Sequence, residues 1–320
     1  MIWHLPHIRA IAAHAGGPVT LVAKPRSAAA QIFLGESTVR DIIWMERNQK
    51  GRRGQHDGLF GVLRLTRELR ARQFDASYLL HKSQTLALAT WLAGIPARHG
   101  YGVGPQRLWL NRTPFLSGKD RRLNWFQQGT AWLAAAGIPV AEAEPRLAIV
   151  PDARAAVHRH LGDGPGKLVT IGIGSSESYK QWGAVRFAEL IRLLLPAGWT
   201  RFVLLGGPPQ AKLAEEIMQH LAGCDARIAI SVDWPLSEVA ALLEQSAFYV
   251  GNDTGFLNMA AAVGIRTYGL FGATEPFYHS RQIVPIIPPG GVWSRTDGMA
   301  RITAEAVLAA ILTDRQRSGS

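Results

Sequence analysis

Apolar residues fall into two alternating kinds of segment along this chain. Short unbroken runs, PVTLVAK (18–24), VRDIIWM (39–45) and FDASYLL (74–80), have the length and residue types of buried strands. Between and after them GLFGVLRLTRELRARQ (58–73), SQTLALATWLAG (83–94) and NWFQQGTAWLAAAG (124–137) repeat apolar residues at helical spacing. The last is stopped by Gly137 and followed by Pro139. From residue 167 the alternation is cleaner. KLVTIGIG (167–174), RFVLLGG (201–207), RIAI (227–230), FYVGND (248–253) and RTYGLFG (266–272) read as strands. AVRFAELIRLLL (184–195), QAKLAEEIMQHLAG (210–223), LSEVAALLEQ (236–245) and FLNMAAAVG (256–264) read as the helices after the first four. A final helix, ITAEAVLAAILTDRQR (302–317), has Thr303 as its cap. Strands alternating with helices imply parallel sheets covered on both faces, hence an α/β chain of two doubly wound domains. Small, acidic and Pro residues interrupt the pattern at AEAEPRLAIVPDAR (141–154), which divides the chain into domains 1–150 and 151–320.

Composition narrows the class. Hydrophobic residues are 47% of the 320 and charged residues 18%, a balance that builds a core rather than a disordered chain. The single cysteine, Cys224, cannot form an internal disulfide, which favours a reducing compartment. No apolar run approaches the roughly 20 residues that span a bilayer, and the N-terminus lacks the pattern of a secretory signal. A cytoplasmic protein is expected. The net charge of +11 is unevenly placed: residues 1–150 hold 20 Lys+Arg against 9 Asp+Glu, and residues 151–320 hold 15 against 15. The densest basic places are 48–56, 64–72 and 118–122. Such a half-chain suits an anionic partner, a phosphorylated lipid, a membrane surface or nucleic acid, although a solvated basic surface accounts for the charge equally well. Nucleic acid is not expected, because zinc-finger spacing, an RNP-like aromatic run and a basic heptad array are all missing.

Ligands of parallel sheets bind at the carboxyl ends of strands, where helix N-termini point N–H groups outward. Two stretches of the second half lie there. In GIGSSESYKQW (172–182), small residues admit a close ligand, Ser175 and Ser176 offer hydroxyls and Lys180 a mobile cation. This suits a pyrophosphate, but it is neither a P-loop nor a G-x-G-x-x-G fingerprint, and an ordinary loop remains the alternative. In GNDTGFLNMAAAVG (251–264), Asp253 or Thr254 can cap the helix and Gly255 lets an anion approach. Asn258 shares a face with Thr254, where it can bond a ligand or satisfy backbone.

The run V-G-N-D-T-G-x-x-N-x-A-A-A-x-G (250–264) followed by GLFGATEP (269–276) resembles the ADP-heptose:lipopolysaccharide heptosyltransferases, glycosyltransferase family 9. The likeness continues in GSSESYKQWGAVRFAELI (174–191), in LLGGPPQ (204–210) and, more loosely, in FDASYLLHKSQTLALATWLAGIPARHGYG (74–102). It implies a GT-B fold, two Rossmann-like domains facing a cleft. Domain 1–150 would bind the acceptor, and 151–320, with its C-terminal helix, the nucleotide-sugar. It also implies inverting transfer of heptose or a related sugar from an ADP-sugar to an anionic glycolipid such as lipopolysaccharide core, with no metal or other cofactor. The expected place is the cytoplasm, peripheral on the inner face of the inner membrane. Lys180 and Asp253 take catalytic roles in this reading. Ser175, Ser176, Lys180, Thr254, Gly255, Asn258, Gly272 and Thr274 hold the nucleotide-sugar.

Two departures from the family pattern bear on activity. Asn258 stands where the family has a titratable His. MIWHLPHIRAIAAH (1–14) matches the helix that in the family follows a first strand and a Gly-Asp pair, whose Asp is the general base. That strand is expected ahead of Met1, making Met1 an internal residue and the chain as given a slow catalyst that still binds donor. His4 and His7 stand near the place of the base, either as substitutes or as ordinary residues of an amphipathic helix carrying Ile2, Leu5 and Ile8. Two readings stay open, a working glycosyltransferase and a catalytically idle sugar-nucleotide-binding homologue acting as partner or scaffold.

Overall fold

The backbone divides into two units, Trp3–Pro145 and Arg146–Ser320. The computed structural model describes residues 1–47, 52–162, 164, 166–276, 278 and 280–318, so part of the basic stretch 48–56 (48–51) lies outside the described residues.

The first unit runs α1 (Leu5–His14), β1 (Val19–Ala23), α2 (Ala29–Ile32), β2 (Val39–Trp44), α3 (Gly58–Ala71), β3 (Ala76–Leu79), α4 (Gln84–Leu92), β4 (Ala97–Gly100) and α5 (Trp125–Ala135). Two of the helices begin where short polar side chains close their first turns. Ser83 accepts from Leu86 N–H at 3.2 Å and Asn124 from Gln127 N–H at 2.9 Å. The strands do not form the single doubly wound sheet that the alternation suggests. β1 pairs in parallel with β2, and β3 with β4, as two separate two-stranded sheets. Each of β1 and β3 keeps one edge without a strand partner among the described residues, and a cavity of 1140 Å³ is lined by both, from Val19 to Lys24 and from Phe74 to His81.

The second unit is continuous. It contains α6 (Pro151–Leu161), β5 (Leu168–Gly172), α7 (Ala184–Leu194), β6 (Arg201–Leu205), α8 (Ala211–His220), β7 (Arg227–Ser231), α9 (Leu236–Gln245), β8 (Phe248–Asn252), α10 (Gly255–Val263), β9 (Thr267–Leu270), β10 (Ile283–Ile286) and α11 (Ala304–Ser318). Six parallel strands stand in the order β10-β9-β8-β5-β6-β7, a doubly wound sheet whose order reverses between β5 and β8. Every residue of those two central strands is buried, whereas edge strand β7 exposes Arg227. Helices on both faces leave a central parallel strand no polar side to show, which explains its unbroken apolar run.

Two elements of the second unit that the alternation does not announce involve proline. Pro151, expected to interrupt the alternation, opens α6, where its missing N–H is one the first turn leaves unpaired anyway. Pro285 lies inside β10, at the outer edge of the sheet, where one ladder side needs no donor.

Candidate functional site

The site begins where β5 and β8 end. Gly172 and Gly251 sit in register on these neighbouring strands. A Cβ on Gly251 would fall 2.4 Å from the Gly172 carbonyl oxygen, so the strand ends approach more closely than any side chain permits. Asn252, fully buried, fastens the loop that follows β5. Its Nδ2 donates to Gly174 O at 3.1 Å and to Gln181 Oε1 at 3.0 Å, and Gln181 Nε2 donates to Ile173 O at 3.1 Å. Gln210, after β6, adds a hydrogen bond to Ser175 O at 3.2 Å.

That fastening positions Lys180. Its Nζ donates to Asp253 Oδ2 at 2.8 Å, and the same oxygen accepts from Thr274 Oγ1 at 2.9 Å. Glu177 approaches Lys180 at 3.8 Å. The Lys180 and Asp253 side chains are 20% and 13% exposed, so the pair is largely withdrawn from water yet reachable. Three of the residues expected at the site, from the loops after β5, β8 and β9, therefore converge on one carboxylate oxygen.

Helix α10 starts beside them. Neither Asp253 nor Thr254 caps it, contrary to the sequence expectation. Thr254 is the N-cap residue, but its side chain makes no cap bond, and its hydroxyl is buried beside the Tyr249 hydroxyl without a hydrogen bond of normal geometry to it. The first-turn N–H groups thus have no capping side chain from this position, which suits an anion. Gly255 is exposed with open space where a Cβ would stand. The Asn258 Nδ2 donates to Thr254 O at 2.9 Å, one turn back on the helix.

The remaining expected residues are more dispersed in role. The Ser175 hydroxyl is turned into its own loop, donating to Glu177 O at 2.7 Å and accepting from Glu177 N–H at 3.2 Å. Ser176 is exposed on the same loop. Gly272 is buried, and a Cβ there would lie 2.4 Å from the Met299 backbone nitrogen. Gly272→Ala is therefore expected to destabilise the chain by about 1–3 kcal/mol through overpacking, measured by urea unfolding. Undiminished stability with weakened nucleotide binding would show that Gly272 touches ligand instead.

Asn252, Gln181 and Gln210 escape the sequence reading. A signal exists for the first, a polar residue closing the otherwise apolar run FYVGN. His4 and His7 belong to the first unit's packing. His7 is 1% exposed, with Nδ1 2.9 Å from His4 Nδ1 and Nε2 2.9 Å from Thr130 Oγ1. Burial lowers His7 to about 4 and His4 to about 3, so both rings are neutral near pH 7. A further cavity of 780 Å³ in the second unit, lined by Lys167, Arg201 and Arg315, opens at the amino ends of β5, β6 and β8. That is the end of an open α/β sheet opposite to where ligands bind.

The family profile "Glycosyltransferase family 9 (heptosyltransferase)" matches residues 62–285. Among solved structures, ADP-heptose lps heptosyltransferase II of E. coli superposes with a TM-score of 0.76 at 20% identity, covering 100% of this chain and 96% of that one. A family 9 glycosyl transferase from Veillonella parvula DSM 2008 gives 0.76 at 19%, covering 98% and 92%. E. coli heptosyltransferase WaaC with ADP-2-deoxy-2-fluoro heptose gives 0.72 at 19%, covering 98% and 95%. No curated protein sequence matches the chain. At these identities the structural likeness is one of fold, the α/β GT-B fold of the heptosyltransferases. The profile covers well over half of the sequence, and the chain belongs to glycosyltransferase family 9, the heptosyltransferase family.

Proposed function

We propose that this glycosyltransferase moves heptose or a related sugar from an ADP-sugar to a phosphorylated glycolipid of the lipopolysaccharide-core type, with inversion. The observation that carries the donor side is the Lys180–Asp253–Thr274 cluster beside the uncapped start of α10. In such a transfer an acceptor hydroxyl oxygen attacks the anomeric carbon and gives up its proton to solvent or to the departing diphosphate, while the bond to the diphosphate breaks and ADP departs with the electron pair. Charge then grows on the diphosphate. A cation and a row of N–H groups fixed in advance stabilise that charge without reorganising. In this reading Lys180 and the α10 N-terminus meet the diphosphate, Asp253 and Thr274 hold Lys180 in place, and Ser176, Gly255 and Asn258 flank the ligand. Two E. coli WaaC structures, with ADP and with ADP-2-deoxy-2-fluoro heptose, support an ADP-linked donor.

The test is to incubate the chain with ADP-heptose and a phosphorylated core acceptor, following ADP release and product mass, with the product's anomeric configuration read by NMR. Donor binding with slow transfer and inversion is expected. Retained configuration would refute the inverting mechanism, and absence of donor binding would refute the whole assignment. Binding without transfer would favour the idle, scaffold-like reading.

The acceptor side is assigned to the first unit on charge, 20 Lys+Arg against 9 Asp+Glu over residues 1–150. An anionic glycolipid at the inner face of the inner membrane is the matching partner. No helix among the described residues is long and apolar enough to cross a membrane, so the association proposed is peripheral. Binding to anionic vesicles is expected to weaken steeply between low salt and about 0.5 M, where the screening length drops well below 10 Å. No binding even at low salt would reduce the imbalance to a property of the free surface.

A further inference from the structure

We propose that the outward face of α3 is a lipid-contacting surface that seats the first unit on an anionic bilayer; this rests on the membrane association proposed above and names the element that makes it. A helix lying on a water-soluble domain should be polar on its outer side. On α3 the outer side carries Leu59, Phe60 and Leu63, which are 72%, 80% and 38% exposed. The inner side is well packed, with Leu65 and Leu69 buried against Ile43, Ala89 and Ile95. The exposed apolar residues are thus additional to a core-facing stripe that is already complete.

Arginines share that outer face. At 100° per residue Leu59, Phe60, Leu63, Arg64, Arg67 and Arg70 fall within one arc of roughly 140°, and all six are exposed. Apolar residues occupy the first turns and basic residues the later ones. Arg64 is shared with Glu68 at 3.5 Å, and the Arg70 guanidinium rests on the Leu92 carbonyl, which keeps its charge at the surface. Large apolar side chains beside arginines are what a helix lying in the headgroup boundary presents, the first entering the acyl region and the second meeting anionic headgroups. The charge surplus of residues 1–150 has the sign that such a surface attracts.

The experiment uses vesicles of phosphatidylcholine with or without phosphatidylglycerol. An environment-sensitive dye is placed at position 60 by Phe60→Cys in a Cys224→Ser background. The dye should shift to the blue on phosphatidylglycerol vesicles. The triple variant Leu59→Ser, Phe60→Ser, Leu63→Ser should bind them at least tenfold more weakly at low and high salt alike, because apolar insertion is not screened. Arg64→Gln with Arg67→Gln should lose roughly fivefold per charge at low salt and much less at high salt. Thermal melts of both variants should match the parent, since the altered side chains are exposed. Vesicle binding with no dye shift and an unaffected triple variant would overturn the assignment to α3 while leaving membrane association standing. No vesicle binding by the parent protein would overturn both. Self-association lost in the triple variant, seen by sedimentation without any lipid effect, would give the face to a second copy of the chain and overturn the lipid assignment.

Discussion

Replacing Lys180 by alanine is expected to weaken ADP binding by about 1.5–3 kcal/mol, roughly 10- to 150-fold, while the affinity for adenosine hardly changes. The magnitude follows from the site's partial burial. With the Lys180 and Asp253 side chains 20% and 13% exposed, a contact between this ammonium and a diphosphate is only lightly screened by water. The substitution also leaves Asp253 facing the phosphates with only the Thr274 hydroxyl for company. Part of the loss is therefore repulsion that Lys180 had offset. Asp253→Asn removes that carboxylate charge, and ADP binding by this variant should hold or tighten. Calorimetry with both ligands decides the matter. Equal losses for ADP and adenosine in Lys180→Ala would remove Lys180 from the phosphate site.

Acidification below pH 6.5 should destabilise the first unit by about 3 kcal/mol by pH 4, counting His7 alone. Burial lowers the His7 ring from 6.5 to about 4 in the folded chain. Between those values the unfolded chain binds a proton that the folded chain refuses, so stability is full above 6.5 and falls as pH drops toward 4. His4, His81 and His99, each lowered with burial as the first cause, act with the same sign. Glu36 enters only lower. Burial pushes it up, but the bonds from Arg9 and Thr38 outweigh that and leave it below its ordinary 4.5, so its contribution is lost beneath that value. Urea unfolding at pH 7, 5.5 and 4.5 should show the slope, and a His4→Gln, His7→Gln variant should flatten much of it. A slope untouched by that variant would show that the two rings are not the groups refused a proton.

Much of the second unit is legible in the amino-acid sequence. Its strands and helices announce themselves because each central strand is buried on both faces and each covering helix on one. Burial of that kind writes itself locally, as unbroken apolar runs and as spacing of three and four residues. The loops after 174 and 252 are equally visible, since glycine, serine and aspartate at a strand-to-helix junction have few other uses. The first unit is harder. Its alternation suggests one sheet, but whether β1 and β3 join depends on what stands between them, and periodicity reports burial without reporting a neighbour.

Only the tertiary structure brings Lys180 and Asp253, 73 positions apart, to a single hydrogen bond and adds Thr274 to the same oxygen. Strand order does this: β5 and β8 are distant in sequence and adjacent in the sheet, so their carboxyl ends share a rim. The same holds for the residues whose roles differ from expectation. The Ser175 hydroxyl turns inward, Gly272 is crowded by the chain at Met299, and Asn252 bonds the loop after β5. Residue type and spacing specify what a segment prefers to become. Which backbone atoms lie within about 3 Å of a given side chain is set by contacts between segments far apart in the chain, and no local pattern encodes them.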